Sequence, residues 1–177
     1  SGQVGTYMDE WGSVWHVAES GVVGEVKEPV LAEWPALATY QPPWELLETC
    51  DFSGVDAACE RQDKFMLSGM SARPFERMQF LRGSVNLYVD LMEQPQPFFR
   101  LRVMVHDYYL KELEQWAKTD VDGLMIMDDW GAQHSLLIPP SLWRTLFKPM
   151  YRDYAEIARA YGKFLFMHSD GYIFDIY

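Results

Sequence analysis

The amino-acid pattern predicts an α/β fold in which parallel strands are joined by helical crossovers. Three observations carry that prediction. The second half of the chain alternates strand-like apolar runs with segments of helical period. Two of those runs, "LMIMDD" and "KFLFMHSDG", are nearly continuous in apolar residues, as expected of strands covered on both faces. Both runs also end in polar residues, on the side where parallel folds gather their ligand-binding loops.

Residues 1–50 read as an irregular N-terminal lid and loop region. Aromatic and small residues mix around Trp11-Gly12, and "VVGEV" follows a turn near Ser20-Gly21, which suggests a short two-stranded or irregular piece. "WPALATYQPPWELLETCD" holds three prolines and fits a loop with one short helix. Asp51 to Asp63 suit a polar amphipathic helix, and "KFMLSGMS" suits a strand running into a glycine turn. From Pro74, apolar residues recur at threes and fours (Phe75, Met78, Leu81, Val85, Val89, Met92), interrupted by Gly83. A second helix starts near Pro97 and carries Phe98, Leu101, Val105, Tyr109, Leu113 and Trp116. "TDVDG" breaks it before the first apolar strand. After "WGAQHSLLIPP", Ser141 is placed to cap a third helix, with Pro149 kinking it or marking a junction, and Gly162 ends it.

Composition narrows the function classes. The chain has 177 residues, 49% hydrophobic, with seven Trp, ten Tyr and ten Phe, which is ample surface for a core. A formal net charge of -11 disfavours nucleic acid as a partner. No run approaches the ~18 apolar residues that a membrane span needs. Cys50 and Cys59 form no CxxC motif and read as free thiols, so a cytoplasmic location is expected.

The candidate site residues lie at the strand ends. His168 and Asp170 are two apart in an extended segment and share a side. They suit a divalent metal, or a general base held by its carboxylate; equally, His168 fits a core position and Asp170 a helix cap. Asp128 and Asp129 suit a cation or polar substrate, or else a loop cap and an ion pair. Arg73, in a strand-to-helix loop, suits a substrate carboxylate or phosphate, with an ordinary surface position as the alternative. His134, on the loop after Asp129, is a secondary candidate, while His106 reads as part of a solvated helix face.

With those residues in place, the chain resembles the uroporphyrinogen decarboxylase superfamily, which includes corrinoid-linked methyltransferases. The resemblance runs through "MDEWGSVW", "GMSARPFERMQFLRG", "DGLMIMDDWGAQHSLLIPPSLWRTLFKPMY" and "YGKFLFMHSDG". It implies a TIM (β/α)8 barrel with the site at the carboxyl ends of its strands. Such barrels need about 250 residues, so the chain is expected to hold one partial barrel domain, incomplete at both ends, either as a fragment or as half of a homodimer. The decarboxylases' basic N-terminal motif is missing here, and Phe80 and Asp129 stand where they carry Tyr and Ser. The methyltransferases' zinc-binding His-x-Cys-Gly has its counterpart in His168-Ser169-Asp170-Gly171, with Asp in place of Cys. The resemblance therefore implies methyl transfer on a small substrate, with zinc or another divalent ion on His168 and Asp170 and a corrinoid delivered by a partner protein. Asp128, Asp129 and His168 would be catalytic, Arg73 and His134 would bind substrate, and Trp11 with Trp130 would wall a pocket over a flat macrocycle. Decarboxylation of a tetrapyrrole, which needs no cofactor, is the alternative, and a non-catalytic binding or self-associating chain is a third.

Overall fold

A computed structural model describes residues 3–176. The chain divides into two compact units, residues 1–44 with 76–105, and residues 45–75 with 106–177.

The first unit opens with an antiparallel sheet of three strands, β1 (Gly5–Met8), β2 (Val14–Val17) and β3 (Glu25–Glu28), in that order. The sequence suggested two strands or none. The third forms because "EVKE" pairs back on β2 across the turn at Gly21, whose φ of 85° favours glycine. Asp9 organises this sheet. Its carboxylate accepts the backbone N–H groups of Trp11 and Ser13, the Trp15 indole N–H at 2.9 Å and the Arg77 guanidinium at 3.2 Å. The helical pattern from Pro74 resolves into α3 (Pro74–Arg82) and α4 (Ser84–Glu93), separated at Gly83 as expected. Arg82 is buried and fully engaged by the Asp90 carboxylate at 2.7 Å, the Leu31 and Ala32 carbonyls, and the face of Trp34. Such a desolvated charge is tolerable only with that many partners.

The second unit contains the parallel sheet, β4 (Leu67–Met70), β5 (Gly123–Met127) and β6 (Phe164–His168), with β5 in the middle. The helix from Gln96 to Ala117 (α5) precedes β5, and α6 (Pro140–Leu146) and α7 (Lys148–Ala160) connect β5 to β6. Two short helices, α1 (Trp44–Thr49) and α2 (Ser53–Glu60), lie earlier in the chain. Pro149 does sit at a junction, with Phe147 between α6 and α7. Ser141 does not cap α6. Pro139 takes the cap position and Pro140 the first helical turn, where its missing N–H is no loss. His106 departs from its solvated reading as well, since its ring nitrogens meet Tyr154 and Asp153 at 3.1 Å each.

Burial separates the two faces of this sheet. Leu124 and Ile126 of β5 are buried, whereas Met125 and Met127 are half-buried. The register places Met125 beside Phe166 and Met127 beside His168, so these residues share the open face. Leu67 and Phe166 both lie against Gly123, which has no side chain to keep them apart. Among the described residues no helix is long and apolar enough to cross a membrane. Both cysteines are free thiols.

Candidate metal and substrate site

The loops leaving β5 and β6 continue the ladder beyond the strands. Asp128 N–H donates to the His168 carbonyl at 3.0 Å, Gly131 N–H to the Asp170 carbonyl at 3.1 Å, and Tyr172 N–H to the Ala132 carbonyl at 2.8 Å. The Trp130 N–H reaches the Ser169 hydroxyl at 3.0 Å. Such close approach requires glycine on both sides, because a Cβ at Gly131 would strike the backbone of Gly171 and Tyr172, and one at Gly171 would strike Gly131. The two strand ends are thereby locked together.

That lock gathers three ligating side chains. Asp129 Oδ1 accepts the Asp170 N–H at 2.8 Å, which orients its carboxylate toward β6. His168 Nε2 lies 3.3 Å from Asp170 Oδ1 and 4.0 Å from Asp129 Oδ1. One ligand atom from each of Asp129, His168 and Asp170 falls within 4.8 Å of the others. An imidazole and two carboxylates with solvent access are a donor set that fits a divalent cation with open positions for substrate or water. The second oxygen of Asp129 remains available for it.

Asp128 takes no part in this cluster, contrary to the joint catalytic role expected of Asp128, Asp129 and His168. Successive strand residues face opposite sides, so Asp128 is fully buried while Asp129 reaches the rim. Asp128 Oδ2 accepts the Phe75 N–H at 2.8 Å and the Tyr151 hydroxyl at 2.6 Å, and Tyr151 in turn accepts the Trp130 indole N–H at 2.8 Å. Burial, reinforced by the neighbouring Asp128, pushes the Tyr151 hydroxyl well above the ordinary tyrosine range. Asp128 is an interior anchor that ties β5 to the start of α3 and to α7.

The expected aromatic wall also dissolves into packing. Trp130 is fully buried, stacked on Phe75 at 4.2 Å and flanked by Phe147, Trp143 and Tyr151, so neither face is open to a macrocycle. Trp11 belongs to the first unit, is 5% exposed and lies beneath the Arg77 guanidinium at 4.6 Å. His134 is exposed on its loop and outside the three-residue cluster. Arg73 follows β4 at the carboxyl edge of the sheet, half-buried. Sequence reasoning missed Ser169 and Tyr151. The first sat visibly between His168 and Asp170, and the second carried no local signal, because its partner is 23 residues away.

No family model matches the chain, and no curated protein matches it. A methyltransferase from Methanosarcina mazei shares the fold, with a TM-score of 0.71 at 14% sequence identity, over 94% of this chain and 49% of that one. The chain thus spans about half the length of the solved methyltransferase that it matches.

Proposed function

We propose that the protein acts in methyl transfer on a small substrate, as a member of the uroporphyrinogen decarboxylase superfamily, with a divalent metal held by Asp129, His168 and Asp170. Two strand ends bring three ligand atoms within 4.8 Å, and that observation carries the reading. The shared fold of a methyltransferase supports it. In this reading the sheet is part of a (β/α)8 barrel, and a corrinoid comes from a partner protein.

A divalent ion at this place supplies Lewis acidity, polarising the heteroatom of a bound donor or acceptor. The protein's own residues do the rest. Asp129, fixed by the Asp170 N–H, presents one carboxylate oxygen in a set direction. His168 would ligate through Nε2, the nitrogen that faces both carboxylates. Asp170 in place of a cysteine, with the Asp129 carboxylate beside it, makes the set harder than a thiolate-based one and favours oxygen- or nitrogen-bearing substrates over thiols. The buried anchor of Asp128, Tyr151 and the Phe75 N–H holds β5 in register, so that Asp129 keeps its position.

Cobalt(II) titration followed by absorption spectroscopy tests the metal directly. One ion should bind per chain, and His168→Ala and Asp129→Asn should each weaken binding by at least about tenfold. Equal binding by wild type and both variants removes the metal. With the metal established, a methylated donor and a cobalamin protein should give cobalt methylation that is lost in His168→Ala.

A further inference from the structure

Arg73 differs from the other basic side chains that are withdrawn from solvent. Arg77 pairs with Asp9, Arg82 with Asp90, and Lys163 donates to the Thr119 carbonyl, while Arg102 lies over Phe99. The remaining lysines and arginines are exposed. Arg73 is half-buried and has no hydrogen-bond or ion-pair partner among the described residues. Acids are not scarce, with 26 Asp and Glu against 15 Lys and Arg. A half-buried guanidinium to which the protein offers no acceptor leaves its fork of donors to water or to a ligand.

The backbone around Arg73 is held in place. Ser71 N–H donates to the Met125 carbonyl and Met127 N–H to the Ala72 carbonyl, both at 3.1 Å. On the other side Pro74 fixes its own φ as α3 begins, and Phe75 N–H is bonded to Asp128. All of these bonds are to β5 and its end, the strand that also delivers Asp129 one residue further on.

We infer that Arg73 holds the carboxylate of a small monoanionic substrate beside the Asp129–His168–Asp170 cluster. This rests on the methyl-transfer reading for the chemistry done on that substrate, but not for its charge. The planar guanidinium fork matches a carboxylate bidentately. With no ion bound, two neighbouring carboxylates and a net charge of -11 penalise a dianion more than a monoanion, which selects carboxylate over phosphate.

Calorimetric titration with methoxyacetate, its neutral amide methoxyacetamide, and inorganic phosphate reads the inference, on zinc-loaded and on metal-stripped protein. Wild type should bind methoxyacetate at least about tenfold more tightly than the amide, as one charge-assisted pair allows. Arg73→Gln should erase that preference, and Arg73→Lys should retain part of it. Phosphate should bind metal-stripped protein more weakly than methoxyacetate does. A preference that survives metal stripping supports Arg73 whatever becomes of the metal. A preference that needs zinc and persists in Arg73→Gln places the anion on the ion and overturns the inference. So does equal binding of acid and amide by wild type, or tighter binding of phosphate than of methoxyacetate by metal-stripped wild type. Phenylglyoxal labelling of wild type, read by mass spectrometry, needs no variant: methoxyacetate should protect Arg73 and methoxyacetamide should not, and equal labelling with both overturns the inference.

Discussion

Tyr151 donates its hydroxyl to Asp128 at 2.6 Å and accepts the Trp130 indole N–H at 2.8 Å, with all three side chains buried. Removing that hydroxyl takes one hydrogen bond from the Asp128 carboxylate and strands the Trp130 donor. Tyr151→Phe should therefore lower unfolding free energy by about 1.5–3 kcal/mol, the range for a hydrogen bond to a charged group, as urea denaturation would measure. The same network sets an alkaline limit. Tyr151 and Tyr154 both titrate well above 10.0, first because burial disfavours the phenolate and then because of nearby acidic and phenolic groups. Between the unfolded and folded pKa the native state binds more protons than the unfolded one. Their contribution is thus complete below pH ~10 and is lost as pH rises through the folded values. Stability measured at successive pH values above about 10 should fall more steeply in wild type than in Tyr151→Phe, and equal slopes would show that folding does not shift the Tyr151 titration.

At the scale of elements, the site exists because two loops lie against each other where glycine permits contact. Gly131→Ala would place a methyl group on the backbone of the β6 loop, and no side-chain rotation relieves a backbone clash. It should cost about 1–3 kcal/mol as overpacking does and also weaken cobalt binding, because the ladder bonds that orient Asp129 and Asp170 would part. Stability and metal affinity unchanged in Gly131→Ala would mean that the loops are not locked. This juxtaposition was half legible in the sequence. Apolar runs ending in acids and imidazole announced parallel strands with a polar carboxyl edge, and period-two alternation already required Asp128 and Asp129 to part. Which of them would face inward depended on Tyr151 and Phe75, whose meeting with Asp128 is long-range. Gly171 entered the sequence reading only as the end of the His168-Ser169-Asp170-Gly171 run, because its contact with Gly131 spans two strands and leaves no local pattern. Trp130 read as a pocket wall because a tryptophan beside a polar cluster looks the same in sequence whether its ring faces a ligand or a core.

On the scale of the molecule, the open face of the parallel sheet is the feature still without a counterpart. Phe164 is 63% exposed, Phe65 53% and Phe166 42%, and Phe65 packs against both of the others within 6 Å. Leu67 and Met70 extend the same apolar strip along β4. A near-continuous apolar strand in a parallel sheet is ordinarily covered on both sides, and contiguous apolar surface of this kind drives association. The homodimer expected from the sequence would use that surface. Its formation is opposed by a net charge of -11 on each copy, so added salt should strengthen it by screening the repulsion. Light scattering at raised ionic strength should give a mass above the 20.6 kDa of one chain. Replacing Phe164 and Phe166 together by lysine should return the mass to that of a monomer. The urea midpoint should change little, because both residues are exposed in the single chain. A wild-type monomer at high salt would show that this face does not join two copies. A double variant that loses its fold would show that the rings stabilise the single chain rather than a contact between chains.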